Sequence, residues 1–296
     1  MPQPPRSRSP LHQWLSFQLQ KQAARQLITP FAPYILSRFH LSEEIGRHGL
    51  GGFQPRSLCL TRAAEQVRDG DWLFCDTDQV PRFVSEILPR LSQRFVLFTG
   101  KWALPPVAWD RASQRLLASD RLILWFGHNL LFDHPRCRLF PYGIAHTWAF
   151  HVLRRMLLPG PRRSDALYVG HLGLHPHLVG RPRQAREALA PLMGPKVPLG
   201  VYLRELRRHR WVAAPAGDRP DTFRLWEAIA LGALPITELP APFQALLGSN
   251  ALFLPRMEEL LALPPAQLPR RTPDRRLVRL SHWRRWAEAE VARATA

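Results

Sequence analysis

Between residues 71 and 256, short unbroken apolar runs alternate with stretches of helical periodicity, and this rhythm restricts the fold more than any other feature. DWLFCDT (71–77), RFVLFTG (94–100) and RLILWFG (121–127) read as strands apolar on both pleat faces, with CRLFPYGI (137–144) as a last short strand. DQVPRFVSEILPRLSQ (78–93) and WDRASQRLLAS (109–119) read as the helices between them. Strands of that kind belong to a parallel sheet covered on both sides. The rhythm pauses at a helical stretch, WAFHVLRRMLL (148–158), and a linker, PGPRRS (159–164), rich in proline, glycine and arginine. It then restarts, with strands at DALYVGHL (165–172), RWVAAPAG (210–217), ALPITE (233–238) and NALFLPR (250–256). Helices fall at RPRQAREALAPL (181–192), PLGVYLRELRRH (198–209) and DTFRLWEAIALG (221–232). The expectation is α/β, with two halves at 51–158 and 165–274, a tail and helix over 1–50, and a final helix over 275–296 that packs back across the halves.

The first helical pattern, LHQWLSFQLQKQAARQLI (11–28), ends at Pro30 and Pro33. Leu11, Trp14 and Leu15 could touch a membrane surface, but packing against its own domain is the simpler role. Gln13, Gln18, Gln20, Lys21 and Gln22 interrupt any secretory apolar core, and no run reaches the roughly 18 apolar residues of a membrane span. Three separated cysteines, Cys59, Cys75 and Cys137, suit neither zinc nor a disulfide framework. The location expected is cytoplasmic, at most peripheral to an anionic membrane. The net charge of +18 comes almost wholly from arginine and predicts an anionic partner, unless it reflects only arginine written in place of lysine.

PAGDRPDTFRLWEAIALGALPI (215–236) leaves a strand, turns through Gly217 and Pro220, and enters a helix. Asp221 stands where a residue caps that helix, and Gly232 where a left-handed glycine ends it. Arg224 and Glu227 share a face with Asp221, while Phe223 and Trp226 point toward core. A helix N-terminus beside a forked guanidinium favours a diphosphate, and a carboxylate one turn deeper can accept from ribose hydroxyls. The plain alternative is a solvent-exposed ion pair between Arg224 and Glu227.

The order Gly217, Asp221, Arg224, Trp226-Glu227-Ala228, Gly232 and Pro235-Ile236 resembles the donor-site motif of exostosin-like glycosyltransferases. Similarity extends to VYLRELRRHRWVAAP (201–215), LYVGHLGLHPHLVGRPRQAREAL (167–189) and the strands RFVLFTGKW, LILWFGHN and LFPYGI. The resemblance implies two Rossmann-like domains facing a cleft, the GT-B arrangement, with an acceptor half at 51–158 and a donor half at 165–274. It further implies sugar transfer, with inversion, from a nucleotide-sugar donor to a hydroxyl of a glycan or lipid-linked glycan, and no required metal or other cofactor. By this likeness Glu227 takes the ribose, Arg224 the diphosphate and Arg181 a phosphate oxygen, with Gly217, Asp221 and Thr222 also among the residues that bind the donor. Animal exostosins carry a membrane anchor, whereas this sequence has no such segment, and residues 1–50 match nothing in the family.

Other residues compete for roles. His171, His175 and His177 have a spacing that could attract zinc, although donor contact or loop polarity explains them equally simply. Asp76 and Asp78 follow the strand DWLFCDT, and either could be the base that deprotonates an acceptor, with helix capping the commoner role for Asp78. His128, next to Asn129, ends the strand RLILWFG and could also be base or acceptor contact, or a loop hydrogen-bonding group. Two rival readings remain: a basic nucleic-acid-binding protein, for which no standard motif is present, and an inactive scaffold of the same fold.

Overall fold

Among the described residues, ten strands pair in parallel to form two sheets in the computed structural model, which describes residues 10–43, 56–100, 107–128, 130, 132–174 and 178–296. The six-stranded sheet runs β2-β1-β3-β4-β5-β6, from β1 (Phe39–Leu41), β2 (Leu58–Cys59), β3 (Asp71–Asp76), β4 (Phe95–Gly100), β5 (Leu122–Gly127) and β6 (Cys137–Leu139). The four-stranded sheet runs β10-β9-β8-β7, from β7 (Ser164–Tyr168), β8 (His209–Ala213), β9 (Leu234–Thr237) and β10 (Leu252–Phe253).

The unbroken apolar runs are sorted by the two-residue period of the strand. Phe74, Val96, Phe98, Leu124 and Phe126 enter a core that also holds Val212, Leu225 and Trp226, so one cluster joins the two sheets. Leu73, Cys75, Phe95, Leu97 and Trp125 point the other way, into a second core. On the far side of the smaller sheet, Trp211, Ala213, Leu234 and Ile236 form a third.

Six helices position the site: α1 (Pro10–Ala24), α2 (Ala149–Met156), α3 (Gly180–Ala188), α4 (Leu199–Arg208), α5 (Phe223–Leu231) and α6 (Leu280–Thr295). The terminal pattern at 275–294 splits into a 3-10 turn, Arg275–Val278, and α6. Trp283 and Trp286 of α6 meet Phe140, and Trp286 also meets Phe126 of β5, so the end of the chain does pack back on the larger sheet. Arg138 of β6 and Glu290 add an ion pair of 2.6 Å.

The structure departs from the sequence reading in several places. The 1–50 segment is more than tail and helix: Phe39–Leu41 sits inside the larger sheet between β2 and β3. Three residues with a polar centre, His40, give too short an apolar run to register as a buried strand. The helix expected over 78–93 is a succession of short turns with a π-helical centre at Phe83–Ile87, where Pro81 and Pro89 remove backbone donors. The expected strand 137–144 stops at Leu139. The segment GRHGLGGF (46–53), whose glycines predict a loop, lies outside the described residues.

Three distant parts of the chain meet where that strand stops. Ile28 N–H donates to Val278 O and Leu280 N–H to Gln26 O, both at 2.9 Å, while Ile144 N–H donates to Ile28 O, also at 2.9 Å. Gly143 has φ +84°, and a Cβ there would collide with the Ile28 carbonyl. Gly70 has nearly the same φ, +79°, with open space around it. Gly70→Ala is therefore expected to cost about 1 kcal/mol of unfolding free energy from backbone strain alone, and Gly143→Ala about 3 kcal/mol or more. Urea melts of the two variants measure the difference, and equal costs refute the close approach.

Candidate functional site

β8 ends at Ala213, and the chain turns through 214–222 before α5 begins. Thr222 is the N-cap residue, with no side-chain cap bond, and its buried Oγ1 has no hydrogen-bond partner among the described residues. Asp221 therefore does not cap the helix as its position suggested. Its carboxylate accepts from Tyr142 N–H at 2.7 Å and from Trp226 Nε1–H at 3.0 Å. Two donors on fixed groups, one from the chain leaving the larger sheet, satisfy the carboxylate better than the free N–H groups of its own helix. Asp221 is 1% exposed, and burial pushes its pKa from 3.8 up to about 7 against the opposing effect of those two bonds. Gly232 ends α5 in the left-handed conformation, φ +80°, as its position predicts.

One turn into α5, Glu227 is also 1% exposed. It accepts from Trp148 Nε1–H and, at 2.8 Å, from Tyr202 Oη–H of α4. Burial raises its pKa, with both hydrogen bonds opposing. The Ala145 backbone adds a third hydrogen bond, and an ionised carboxylate has about four acceptor positions, so about one remains.

Glu227 and Arg224 line one cavity of about 540 Å³ together with Trp148, Tyr202 and Arg186. Arg224 donates to the carbonyls of Gly170 and His171, at 3.2 and 2.5 Å, and its guanidinium lies 5.7 Å from the Tyr202 ring centre. Arg186 of α3 donates to Gly173 O at 2.6 Å and Ala216 O at 3.2 Å. Each guanidinium has five N–H donors, so each keeps donors beyond those two bonds. Burial lowers the Arg186 pKa, and the positive charge of Arg224 lowers it further. Two like charges are thus held together at the N-terminus of α5, where the helix dipole is also positive. Lys196 and Arg219 line the same cavity. The Arg219 guanidinium lies 4.0 Å from the Tyr142 ring centre, and Tyr142 stacks on Phe223 at 5.1 Å. Phe223, read from spacing as a core residue, therefore faces the cavity as well.

The remaining sequence candidates lie elsewhere. Arg181 is not in this cavity: Glu238 and Glu258 enclose its guanidinium with ion pairs of 2.8 and 2.9 Å. Those carboxylates take its charge, and Arg181 in turn holds Glu258 down at about 2. It lines a second cleft of about 430 Å³ with Gly217, Asp218 and Arg219. A Cβ on Gly217 would lie 2.8 Å from Arg186 Nη2, so this glycine lets the cavity arginine approach. Asp76 is buried and Asp78 exposed at the carboxyl end of β3, and neither lines the main cavity. His128 is buried just beyond β5, 5.2 Å from Tyr142 between ring centres. Burial, then the charge of Arg219, lowers its pKa to about 3, so the ring is neutral near pH 7. His171 lines the main cavity, while Asn129, His175 and His177 lie outside the described residues.

Arg186, Arg219, Trp148 and Tyr202 were not singled out from the sequence. The only signal for Arg186 was its place in the arginine-led helix that yielded Arg181. For Tyr202 it was membership of the helix preceding β8. The raised pKa of Asp221 gives a test of the geometry. Its folded pKa exceeds the unfolded one, so its contribution to stability is greatest below about pH 3.8 and is lost as pH rises through about 7. The unfolding free energy of wild type relative to Asp221→Asn is therefore expected to fall across that window and level off above it; a flat difference refutes the burial. No protein-family model matches this sequence, and none of the curated proteins compared with it shows significant similarity.

Proposed function

We propose that the chain is a glycosyltransferase of the GT-B type, with Rossmann-like acceptor and donor domains built on the larger and smaller sheets and a nucleotide-sugar held in the 540 Å³ cavity. The observation that carries the reading is the convergence of Arg186 and Arg224, from different helices, on the N-terminus of α5 above a buried carboxylate, Glu227. Forked guanidiniums and free backbone N–H groups suit a diphosphate, and the remaining acceptor position of Glu227 suits a ribose hydroxyl. The plain alternative, an Arg224–Glu227 surface ion pair, is disfavoured by the burial of Glu227.

In this reading the acceptor is a hydroxyl of a glycan or lipid-linked glycan. It attacks the anomeric carbon with inversion, the bond from that carbon to the phosphate oxygen breaks, and the nucleoside diphosphate leaves. Arg224, Arg186 and the α5 N-terminus stabilise the charge on the departing group. The hydroxyl proton passes to a base at the carboxyl edge of the larger sheet, where Asp76, Asp78 and His128 stand. Of these, His128 is a buried imidazole whose pKa of about 3 makes it a weak base at neutral pH. The reading assigns no metal a part, and the compartment proposed is the cytoplasm.

A thermal-shift screen against UDP-, GDP-, ADP- and CMP-sugars tests the assignment. A ligand at about 100 times its dissociation constant stabilises by about 2.7 kcal/mol. One nucleotide class is expected to raise the melting temperature. Arg224→Ala is expected to weaken that ligand about tenfold to a hundredfold, measured by calorimetry. The assignment fails if no nucleotide-sugar binds, or if Arg224→Ala binds it as wild type does.

A further inference from the structure

The helices α1 and α2 leave a large apolar surface outside the three cores. On α1, Gln20, Ala23 and Ala24 are buried, while Trp14, Leu15, Phe17 and Leu19 are exposed, Trp14 by 57%. Just past the end of α2, Leu157 is 74% exposed and Leu158 is exposed beside it. The two helices run antiparallel. Ile144 N–H meets Ile28 O, the rings of His146 and Phe31 are 4.7 Å apart, and Phe150 N–H donates to the Gln20 side chain at 2.9 Å. From Ile144 to Phe150 one chain advances while its partner falls from Ile28 to Gln20, a course that directs Trp14 toward the end of α2 from which Leu157 and Leu158 follow.

The same face is strongly basic. Arg207 of α4 donates to Leu158 O and Pro159 O, and Arg155 to Gly200 O, which ties α4 to the end of α2. This gathers Arg154, Arg155, Arg204, Arg207 and Arg208. Burial lowers the Arg155 pKa, and the positive charges of Arg154, Arg207 and Arg204 lower it further. Glu205, 3.6 Å from Arg204, is the one carboxylate within ion-pair distance of these arginines among the described residues. No described helix is long and apolar enough to cross a membrane.

We propose that this face, built from α1, the end of α2 and the outer side of α4, docks on the surface of an anionic phospholipid bilayer. Exposed tryptophan and leucine enter the boundary between headgroups and acyl chains, and the guanidiniums meet lipid phosphates. A nucleic acid would meet the charge but leave the apolar side chains in water. A second copy of this chain, at net charge +18, would bring like charge to like. The proposal is independent of the donor site, since no residue of the patch lines the main cavity.

Flotation of the full chain with vesicles tests it. Retention is expected on an equal mixture of phosphatidylcholine and phosphatidylglycerol, but not on phosphatidylcholine alone, and it should weaken with salt. Arg154→Glu with Arg204→Glu, and separately Leu157→Ser with Leu158→Ser, are each expected to reduce partitioning about tenfold or more. All four side chains are exposed, so unfolding melts should be unchanged, as should any nucleotide-induced stabilisation, which keeps this test separate from the donor assignment. Equal binding to neutral vesicles, binding to neither, or binding unaffected by both pairs of changes overturns the proposal. So does retention on oligonucleotides without retention on vesicles, or self-association that the same substitutions abolish.

Discussion

Asp221 is a carboxylate shut away from water between two sheets, and the arrangement of the candidate site follows from how it is satisfied. Its two donors come from opposite directions. Tyr142 N–H belongs to the chain leaving the larger sheet, and the Trp226 indole belongs to α5 on the smaller one. An unpaired acceptor at such depth costs on the order of 1–3 kcal/mol, so the two bodies are held in the one relation that brings both donors to it. That relation sets the Tyr142 ring against Phe223 and Arg219, and Arg219 is thereby brought to the cavity mouth. Glu227 repeats the device one turn along α5, drawing Trp148 from the turn before α2 and Tyr202 from α4 onto the same helix. Two buried carboxylates six positions apart, Asp221 and Glu227, thus tie the 142–148 stretch and α4 to α5.

Much of the architecture was legible because the central strands are buried on both faces. Nothing but a covered parallel sheet accommodates DWLFCD, FVLFTG and LILWFG as neighbours, and the pairing follows that order. The two short strands β1 and β2 were illegible for a physical reason. A strand of two or three residues does not complete enough of its period to be told from a loop, and its place is fixed by pairing with its neighbours, as with Arg38 N–H to Trp72 O and Leu58 N–H to Arg38 O. The broken helix over 80–90 shows the converse. Its amphipathic pattern is real, but two prolines force the backbone through π and 3-10 geometry while the apolar side chains Phe83, Val84 and Ile87 still reach the core.

The site was legible only as far as local spacing reaches. Arg224 and Glu227 are three apart on one helix, so their shared cavity follows from helical geometry. Asp221 has the same appearance in sequence as a capping aspartate, and its true partner, Tyr142, lies 79 positions away. Likewise Arg181 and Arg186 stand on one short helix. What separates a carboxylate-bound arginine from a cavity arginine is the location of Glu238, Glu258 and the loop carbonyls, none of which is local to them.

The abundance of arginine also takes on a different meaning. Several guanidiniums are engaged by backbone carbonyls at the ends of helices, where four acceptors lack partners. Arg163 reaches Leu231 O and His209 O, and Arg275 reaches Ala230 O and Met156 O. Arg136 does the same for Leu117 O and Ser119 O at the end of the helix Arg111–Ala118, and also reaches Leu122 O at the start of β5. Such contacts need a planar fork with several donors, which an ammonium cannot supply. They hold even where burial and neighbouring arginines lower the pKa, as at Arg163 and Arg275. Among the described residues these three arginines bring no carboxylate with them, so each adds to the net charge while holding the fold together. The charge of the whole chain is therefore a poor guide to what it binds. The informative cations are those with donors turned to open space in numbers that repel one another, and they gather at the α5 cavity and along the outer side of α2 and α4.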